Sequence, residues 1–268
     1  MTARVLITGA AGAIGDTLRR GLAGRYGSLR LADLKPLAPA AVNEEIATCD
    51  ITDAAALAGV MRDIDCVVHL AGVPREGPWD AILPNNIVGT YNVFEQARAA
   101  GVKRIVYASS NHVVGYYRAA ARVGTDVLPR PDSRYGVSKV FGEALARLYA
   151  DKHGMSVACL RIGSFRREPE DARQLATWIS PRDMTELVRC AIEAPPYHYL
   201  TLYGVSANTR ARWDNPDAAL IGYVPRDNAE AYAAVLESKA PAASDPAALF
   251  HGGSFCAMEW SGDADEID

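Results

Sequence analysis

Residues 4–15 place a strand, a glycine turn and the start of a helix in immediate succession, and nothing else in the chain restricts the fold as much. Arg4-Val5-Leu6-Ile7-Thr8 is a short run rich in branched apolar residues, followed by Gly9-Ala10-Ala11-Gly12-Ala13-Ile14-Gly15; Leu18, Leu22 and Ala23 then recur at helical spacing. In such a unit Gly9 permits the tight turn, Gly12 lets backbone N–H groups approach a pyrophosphate, and Gly15 lets the helix lie close to the strand. The expected class is α/β: a doubly wound Rossmann-type parallel sheet with a small C-terminal part. An ordinary glycine-rich turn has the same composition, and the next strand decides between the two.

Leu29-Arg30-Leu31-Ala32 reads as the second strand and delivers Asp33 to its carboxyl end, about 20 residues past the glycines, where a carboxylate accepts from adenosine ribose hydroxyls. A negative charge there repels a 2′-phosphate, which favours NAD over NADP, although Arg30 and Lys35 flank the position; a solvated turn residue is the alternative. Ile46 to Cys49 is a third strand, with Asp50-Ile51 at its end beside the adenine edge of such a sheet. A helix capped by Thr52 or Asp53 comes next. Cys66-Val67-Val68-His69-Leu70 is a continuous apolar run, as expected of a parallel strand covered on both faces, and makes His69 a core residue. Ala71-Gly72 is a close-approach turn. A long helix runs from Asn85 to Ala100, and the fifth strand, Val102 to Ala108, ends in Ser109-Ser110-Asn111-His112, polar side chains expected to point into the ligand crevice.

In Ser133-Arg134-Tyr135-Gly136-Val137-Ser138-Lys139 a helix would set Tyr135 and Lys139 one turn apart, an ammonium beside a phenol. A free phenol needs a downward shift of about 3 pKa units to serve as a base near neutrality. A cation about 4–5 Å away supplies most of that at an effective dielectric of about 20. Asp132 or Ser133 caps this helix, and Val140, Ala144 and Leu148 are its expected buried face. Ser156 to Ile162 is the sixth strand and brings Gly163-Ser164 to the same crevice.

The 268 residues carry a net charge of -4 with the two signs interspersed, so there is no basic stripe for nucleic acid and no polybasic membrane anchor. No apolar run approaches ~20 residues, and no leader segment is expected. The five cysteines show no Cys-x-x-Cys spacing, and Cys49, Cys66, Cys159 and Cys190 lie in apolar patterns, as reduced core thiols of a cytoplasmic protein would. His153, His198 and His251 lack ligand spacing, so no metal is expected.

Thr8-Gly9-x-x-Gly12-x-x-Gly15, Asp33, the strand ending in Ser109-Ser110 and Tyr135-x-x-x-Lys139, in this order, resemble the extended short-chain dehydrogenase/reductase family, also described as the NAD-dependent epimerase/dehydratase family. Ser109 to Tyr117, Arg161-Ile162-Gly163-Ser164 and Thr177-Trp178 are similar, more narrowly, to a branch that oxidises hexuronic acids. The resemblance implies an NAD-binding part over residues 1–165 that carries the catalytic pair, and a substrate-binding part with a C-terminal arm over 166–268. It implies oxidation of the anomeric C1–OH of glucuronate or galacturonate to the aldarolactone. Tyr135 would be the base, Lys139 would lower its pKa and hold the nicotinamide ribose, and Ser110 would bond the reacting oxygen. Asn111, His112 and Ser164 would orient sugar hydroxyls, and Arg173 would take the uronate carboxylate, unless it pairs with Glu168, Glu170 or Asp171 on a solvated loop. Gly9, Gly12, Ala13, Ile14, Gly15, Asp33, Leu34, Asp50, Ile51, Leu70, Ala71, Gly72 and Ile162 would line the cofactor. Where the family has a serine after the fourth strand, this chain has Pro74, which bears on sugar preference.

Beyond Ser164 the alternation weakens. A helix from Ser180 to about Ala194, a strand from Tyr199 to Val205 and a last helix from Asp227 to Ser238 precede an arm in which Phe250, Phe255 and Trp260 dock either on a neighbouring subunit of a homo-oligomer or on their own. A nucleotide-sugar epimerase or dehydratase uses the same tyrosine and lysine and is the second enzyme reading; a non-catalytic NAD sensor is the third. The short second half speaks against the one, the intact pair against the other.

Overall fold

The computed structural model describes residues 2–267. Nine strands and the helices between them are laid out as β1 (Arg4–Thr8), α1 (Ala13–Gly21), β2 (Ser28–Asp33), β3 (Glu44–Thr48), α2 (Ala54–Val60), β4 (Cys66–His69), α3 (Trp79–Ile82), a π-helical stretch (Leu83–Val88), α4 (Gly89–Ala99), β5 (Arg104–Ser110), α5 (Arg134–His153), β6 (Ser156–Ile162), β7 (Ser164–Phe165), α6 (Gln174–Thr177), β8 (Trp178–Ile179), α7 (Pro181–Glu193) and β9 (Tyr199–Gly204). Seven strands form one parallel sheet in the order β3-β2-β1-β4-β5-β6-β9. The order reverses between β1 and β4, which is where a doubly wound sheet opens its ligand crevice. Strand β9 comes from the second half of the chain, so both halves share this sheet.

Each sheet face has its own apolar layer. Leu18 of α1 and Met184, Leu187 and Val188 of α7 pack on Val5, Ile7, Val68 and Leu160. Leu57 of α2, Phe94 of α4 and Ala146 and Tyr149 of α5 pack on Leu6, Val67, Ile105 and Tyr107. Successive strand residues point to opposite faces, so a strand buried on both has no polar side, as the apolar run at β4 implies.

Several elements depart from expectation. The helix expected from Asn85 begins earlier, at Trp79, and widens into a π turn. Such turns carry an extra residue per turn and often stand at functional sites. Helix α5 buries Tyr135, Lys139, Gly142, Ala146 and Tyr149 rather than Val140, Ala144 and Leu148. At 3.6 residues per turn the two sets lie on opposite sides; with Tyr135 and Lys139 inward, Ala144 and Leu148 are exposed, while Val140 is half-buried against the cluster of Val113, Val114 and Tyr203. The last helix is broken into a 3-10 turn (Ala229–Tyr232), α8 (Ala233–Leu236) and a second 3-10 turn (Glu237–Lys239). Helix α9 (Pro246–Leu249) and α10 (Ser254–Ala257) belong to the arm, which folds back on its own chain: Phe250 bridges Arg118, and His251 N–H and Gly252 N–H donate to the carbonyls of Tyr117 and Gly115.

Candidate active site

At the first turn Gly9 has φ +76°, and a Cβ there would stand 2.6 Å from the Ala71 nitrogen. A Cβ on Gly15 would meet the Gly9 carbonyl at 2.5 Å, so the helix can lie against the turn only because both positions lack one. Gly12 is the N-cap of α1 and supplies no side chain to its end. The first backbone N–H groups of a helix have no partner within it, and here Ala13, Ile14 and Gly15 present them bare, as an anion such as a pyrophosphate requires. The Asp33 carboxylate accepts from Ala11 N–H (2.9 Å) and Lys35 N–H (2.8 Å), which fixes it beside the glycine turn. Arg30 is committed elsewhere, paired with Glu45 at 2.6 Å, and does not compete for a phosphate. These residues fit a dinucleotide with free ribose hydroxyls.

The remaining positions assigned to the cofactor border the same crevice unevenly. Leu34 is 64% exposed and Ile51 is buried against Gly89. Asp50 is occupied by Thr52, accepting from its N–H and its hydroxyl. Gly72 takes φ +141° in the turn after Leu70 and Ala71. Asn86, on the π turn, holds that turn by accepting from Val73 N–H (2.7 Å) and donating to the Val73 carbonyl and to Ser138 Oγ (both 3.0 Å). Ser138 in turn donates to the Tyr135 carbonyl, so the π turn ties the β4 loop to the catalytic helix. His69 is a core residue as expected, bonded to the Thr8 hydroxyl and pushed down to about 3 by burial.

Ser133 caps α5 through Gly136 N–H, and the inward face then carries Tyr135 and Lys139. Tyr135 is 8% exposed, and Ser110 at the end of β5 is the nearby hydroxyl that favours its phenolate. The expected lowering of the phenol does not appear. Burial pushes Tyr135 up to about 12, against the opposing pull of the Ser110 hydroxyl. Lys139 lies 5.5 Å from the centre of the Tyr135 ring and donates to the Ala108 carbonyl at 2.8 Å. Removing the phenolate from water outweighs a cation at that distance. Burial also pushes the ammonium down, to about 8.

Ser109 does not enter the crevice. It sits one residue from Ser110 on the other face of the sheet and donates to Glu143 (2.6 Å), which Arg161 grips with two bonds of 2.9 Å. Asn111 is buried; with its amide turned to satisfy both ends, it donates to the Ile162 carbonyl (3.1 Å) and accepts from Arg173 (2.6 Å). Ser164 shares a bond with Thr177 (2.9 Å) and accepts from Arg173 (3.2 Å). Arg173 therefore reaches two of the predicted substrate residues, Asn111 and Ser164, at once, and its Nε donates to the His251 carbonyl of the arm at 2.7 Å. It is half-buried rather than on a solvated loop, and burial lowers its pKa. Glu170 is taken by Arg166, and Asp171 by Gln174. Among the described residues Arg173 has no ion pair.

Three neighbours of the pair escape a reading of the sequence. Phe255, assigned only to docking, stacks on His112 with ring centres 4.0 Å apart and meets Tyr135 edge-on. Glu76 accepts from Tyr135 N–H (2.9 Å) and pairs with Arg134, which also reaches Glu259 of the arm. Asp132, considered only as a cap, lies 2.6 Å from His112 Nδ1. The one signal in sequence is an acidic residue directly before a capping serine.

A doubly wound sheet with a bare helix end at its switch point and a buried tyrosine, serine and lysine near its carboxyl edge is the arrangement of a Rossmann-type oxidoreductase. The sequence profile of the NAD dependent epimerase/dehydratase family matches residues 5–196, and the chain belongs to that family. It is 43% identical over 254 residues to a uronate dehydrogenase of Pseudomonas putida, covering 94% of this chain and 95% of that one. Uronate dehydrogenase from Agrobacterium tumefaciens, solved as a mutant complexed with NAD, superposes with a TM-score of 0.91 at 45% identity, over 96% of this chain and 97% of the other. A glucuronic acid dehydrogenase from Chromohalobacter salexigens gives 0.92 at 44% identity, over 99% and 100%.

Proposed function

We propose that this chain is an NAD-dependent dehydrogenase that oxidises the anomeric carbon of a free hexuronic acid, glucuronate or galacturonate, to the aldarolactone. The observation that carries the reading is Arg173, a half-buried guanidinium in the crevice with no carboxylate of the protein against it. A planar cation so placed suits a carboxylate supplied by the ligand. The names of the relatives, uronate and glucuronic acid dehydrogenases, agree with it.

Tyr135 accepts the proton of the C1 hydroxyl, and Ser110, beside the same phenol, holds the oxygen that becomes the carbonyl. NAD, when bound, supplies the acceptor for the C1 hydride. Lys139 contributes the positive charge that favours phenolate over phenol and a donor for the nicotinamide ribose. Asp33 takes the adenosine ribose hydroxyls, and the bare N-terminus of α1 takes the pyrophosphate. His112 and Ser164 orient sugar hydroxyls, and Asn111 acts beside them with its amide already tied to Arg173. The substrate part is assigned to residues 166–268. The enzyme is assigned to the cytoplasm, with all five cysteines buried as free thiols, and to a homo-oligomer, with Tyr91 of α4 and Val137 and Leu148 of α5 exposed.

The test is NADH formation with glucuronate, galacturonate, glucose and a nucleotide-sugar side by side. Turnover confined to the two uronates is expected. Conversion of the nucleotide-sugar without net NADH would replace this reading with that of an epimerase.

A further inference from the structure

The loop between β5 and α5 carries a buried charge that no step above uses. The Asp132 side chain is wholly buried, and its Oδ2 lies 2.6 Å from His112 Nδ1. Its Oδ1 accepts from the Ser133 hydroxyl at 2.7 Å, and that hydroxyl oxygen accepts from Gly136 N–H at 3.0 Å. The carboxylate therefore stands at the N-terminus of a 20-residue helix, whose dipole favours a negative charge there. It is sealed by two glycines from distant parts of the chain. A Cβ on Gly115 or on Gly252 of the arm would fall within 2 Å of Oδ2, at 1.9 and 1.8 Å, so both positions leave room for this one group.

The His112 ring is clamped on its other sides. Phe255 stacks on it at 4.0 Å and Tyr135 meets it edge-on at 5.8 Å. Its Nε2 has no hydrogen bond to protein among the described residues and is not a buried atom lacking a partner, so it is the nitrogen open to a ligand.

We propose that Asp132 is a positioning residue that fixes the tautomer of His112, holding the proton on Nδ1 and leaving Nε2 as an acceptor for a sugar hydroxyl. An ionised carboxylate can only accept, so the ring nitrogen facing it must donate. A neutral imidazole that donates through Nδ1 accepts through Nε2. His112 then orients one hydroxyl of the sugar by accepting its hydrogen bond, while Arg173 takes the charged end. Without the carboxylate either tautomer forms, and the Nε2–H form can only donate to the hydroxyl, whose own proton is then left to another partner. This inference rests on the uronate reading for the identity of the ligand, but not for the state of the ring.

Two measurements separate those dependences. Nitrogen-15 NMR of the ligand-free protein labelled at histidine reads the His112 tautomer directly, whatever the substrate. The Nδ1–H form is expected in the native protein and in Asp132→Asn, whose carbonyl oxygen can still accept, and a mixture is expected in Asp132→Ala. The Nε2–H form in the native protein would overturn the proposal. In kinetics, Asp132→Ala should raise the uronate KM a few-fold, by the inverse of the fraction of rings left in the Nδ1–H form, with Asp132→Asn recovering most of it. In a His112→Ala background the same Asp132→Ala change should leave KM unaltered. A full second loss there would mean that Asp132 acts on the fold and not through His112. Absence of uronate turnover in the native protein would remove the assigned substrate while the NMR result stood.

Discussion

The Lys139 ammonium donates to the Ala108 carbonyl and stands 5.5 Å from the centre of the Tyr135 ring, so the proposed base and its cation are neighbours without being bonded. Burial moves their pKa values apart, Tyr135 up to about 12 and Lys139 down to about 8. The competent arrangement, phenolate beside ammonium, carries one proton between the two groups. That proton count becomes populated as pH rises through the lower value and persists to the upper one. Uronate oxidation should therefore climb up to about pH 9 and level off above, as kcat/KM measured from about pH 6 to pH 10 would report. A rate that falls over the same interval would contradict the assignment.

Tyr135→Phe removes the proton acceptor and leaves the dinucleotide's contacts in place. Its turnover should drop by ~10²–10⁴, the span of general base catalysis, with NAD affinity within a few-fold by titration. Lys139→Ala should damage both. Near-native turnover in Tyr135→Phe would place the base elsewhere.

Arg173→Ala deletes a crevice cation that has no ion pair among the described residues. The uronate KM should rise about ten- to a hundredfold, while any measurable activity on glucose or galactose hardly changes. Equal losses on charged and neutral sugars would mean that the residue serves the loop rather than the ligand.

The Asp33 carboxylate is fixed by two backbone N–H groups beside the glycine turn. NAD should outperform NADP by a wide margin in kcat/KM, and Asp33→Ala should narrow it, because the repulsion of a 2′-phosphate is lost. Similar efficiencies with both cofactors in the native protein would count against this role.

What the sequence discloses is local in character. The glycine turn is legible because three backbone positions within one strand–helix corner dictate it, and the catalytic pair because one helical turn separates its members. What it conceals joins residues far apart: Asn86 to Ser138, Asp132 to His112, Arg173 to His251. No periodicity encodes such partners. The phase of α5 misleads because Val140, Ala144 and Leu148 look like a core stripe, and only the inward demand of Tyr135 and Lys139 rules that stripe out. Ser109 and Ser110 look alike in the sequence, yet strand alternation sends one to the Glu143–Arg161 pair and the other to the phenol. Spacing alone overstates the pull of lysine on tyrosine, because burial is invisible to it.

Arg173 and the His251 carbonyl that holds it are 78 positions apart in the chain. Every residue assigned to the dinucleotide has left the ribosome by Ile162, and the last sheet strand, β9, is complete at Gly204. The cation assigned to the sugar acid gains this support, and Asp132 its Gly252 cover, only after residues 251 and 252 have been made. The order of translation thus completes the parts for the cofactor before those for the substrate.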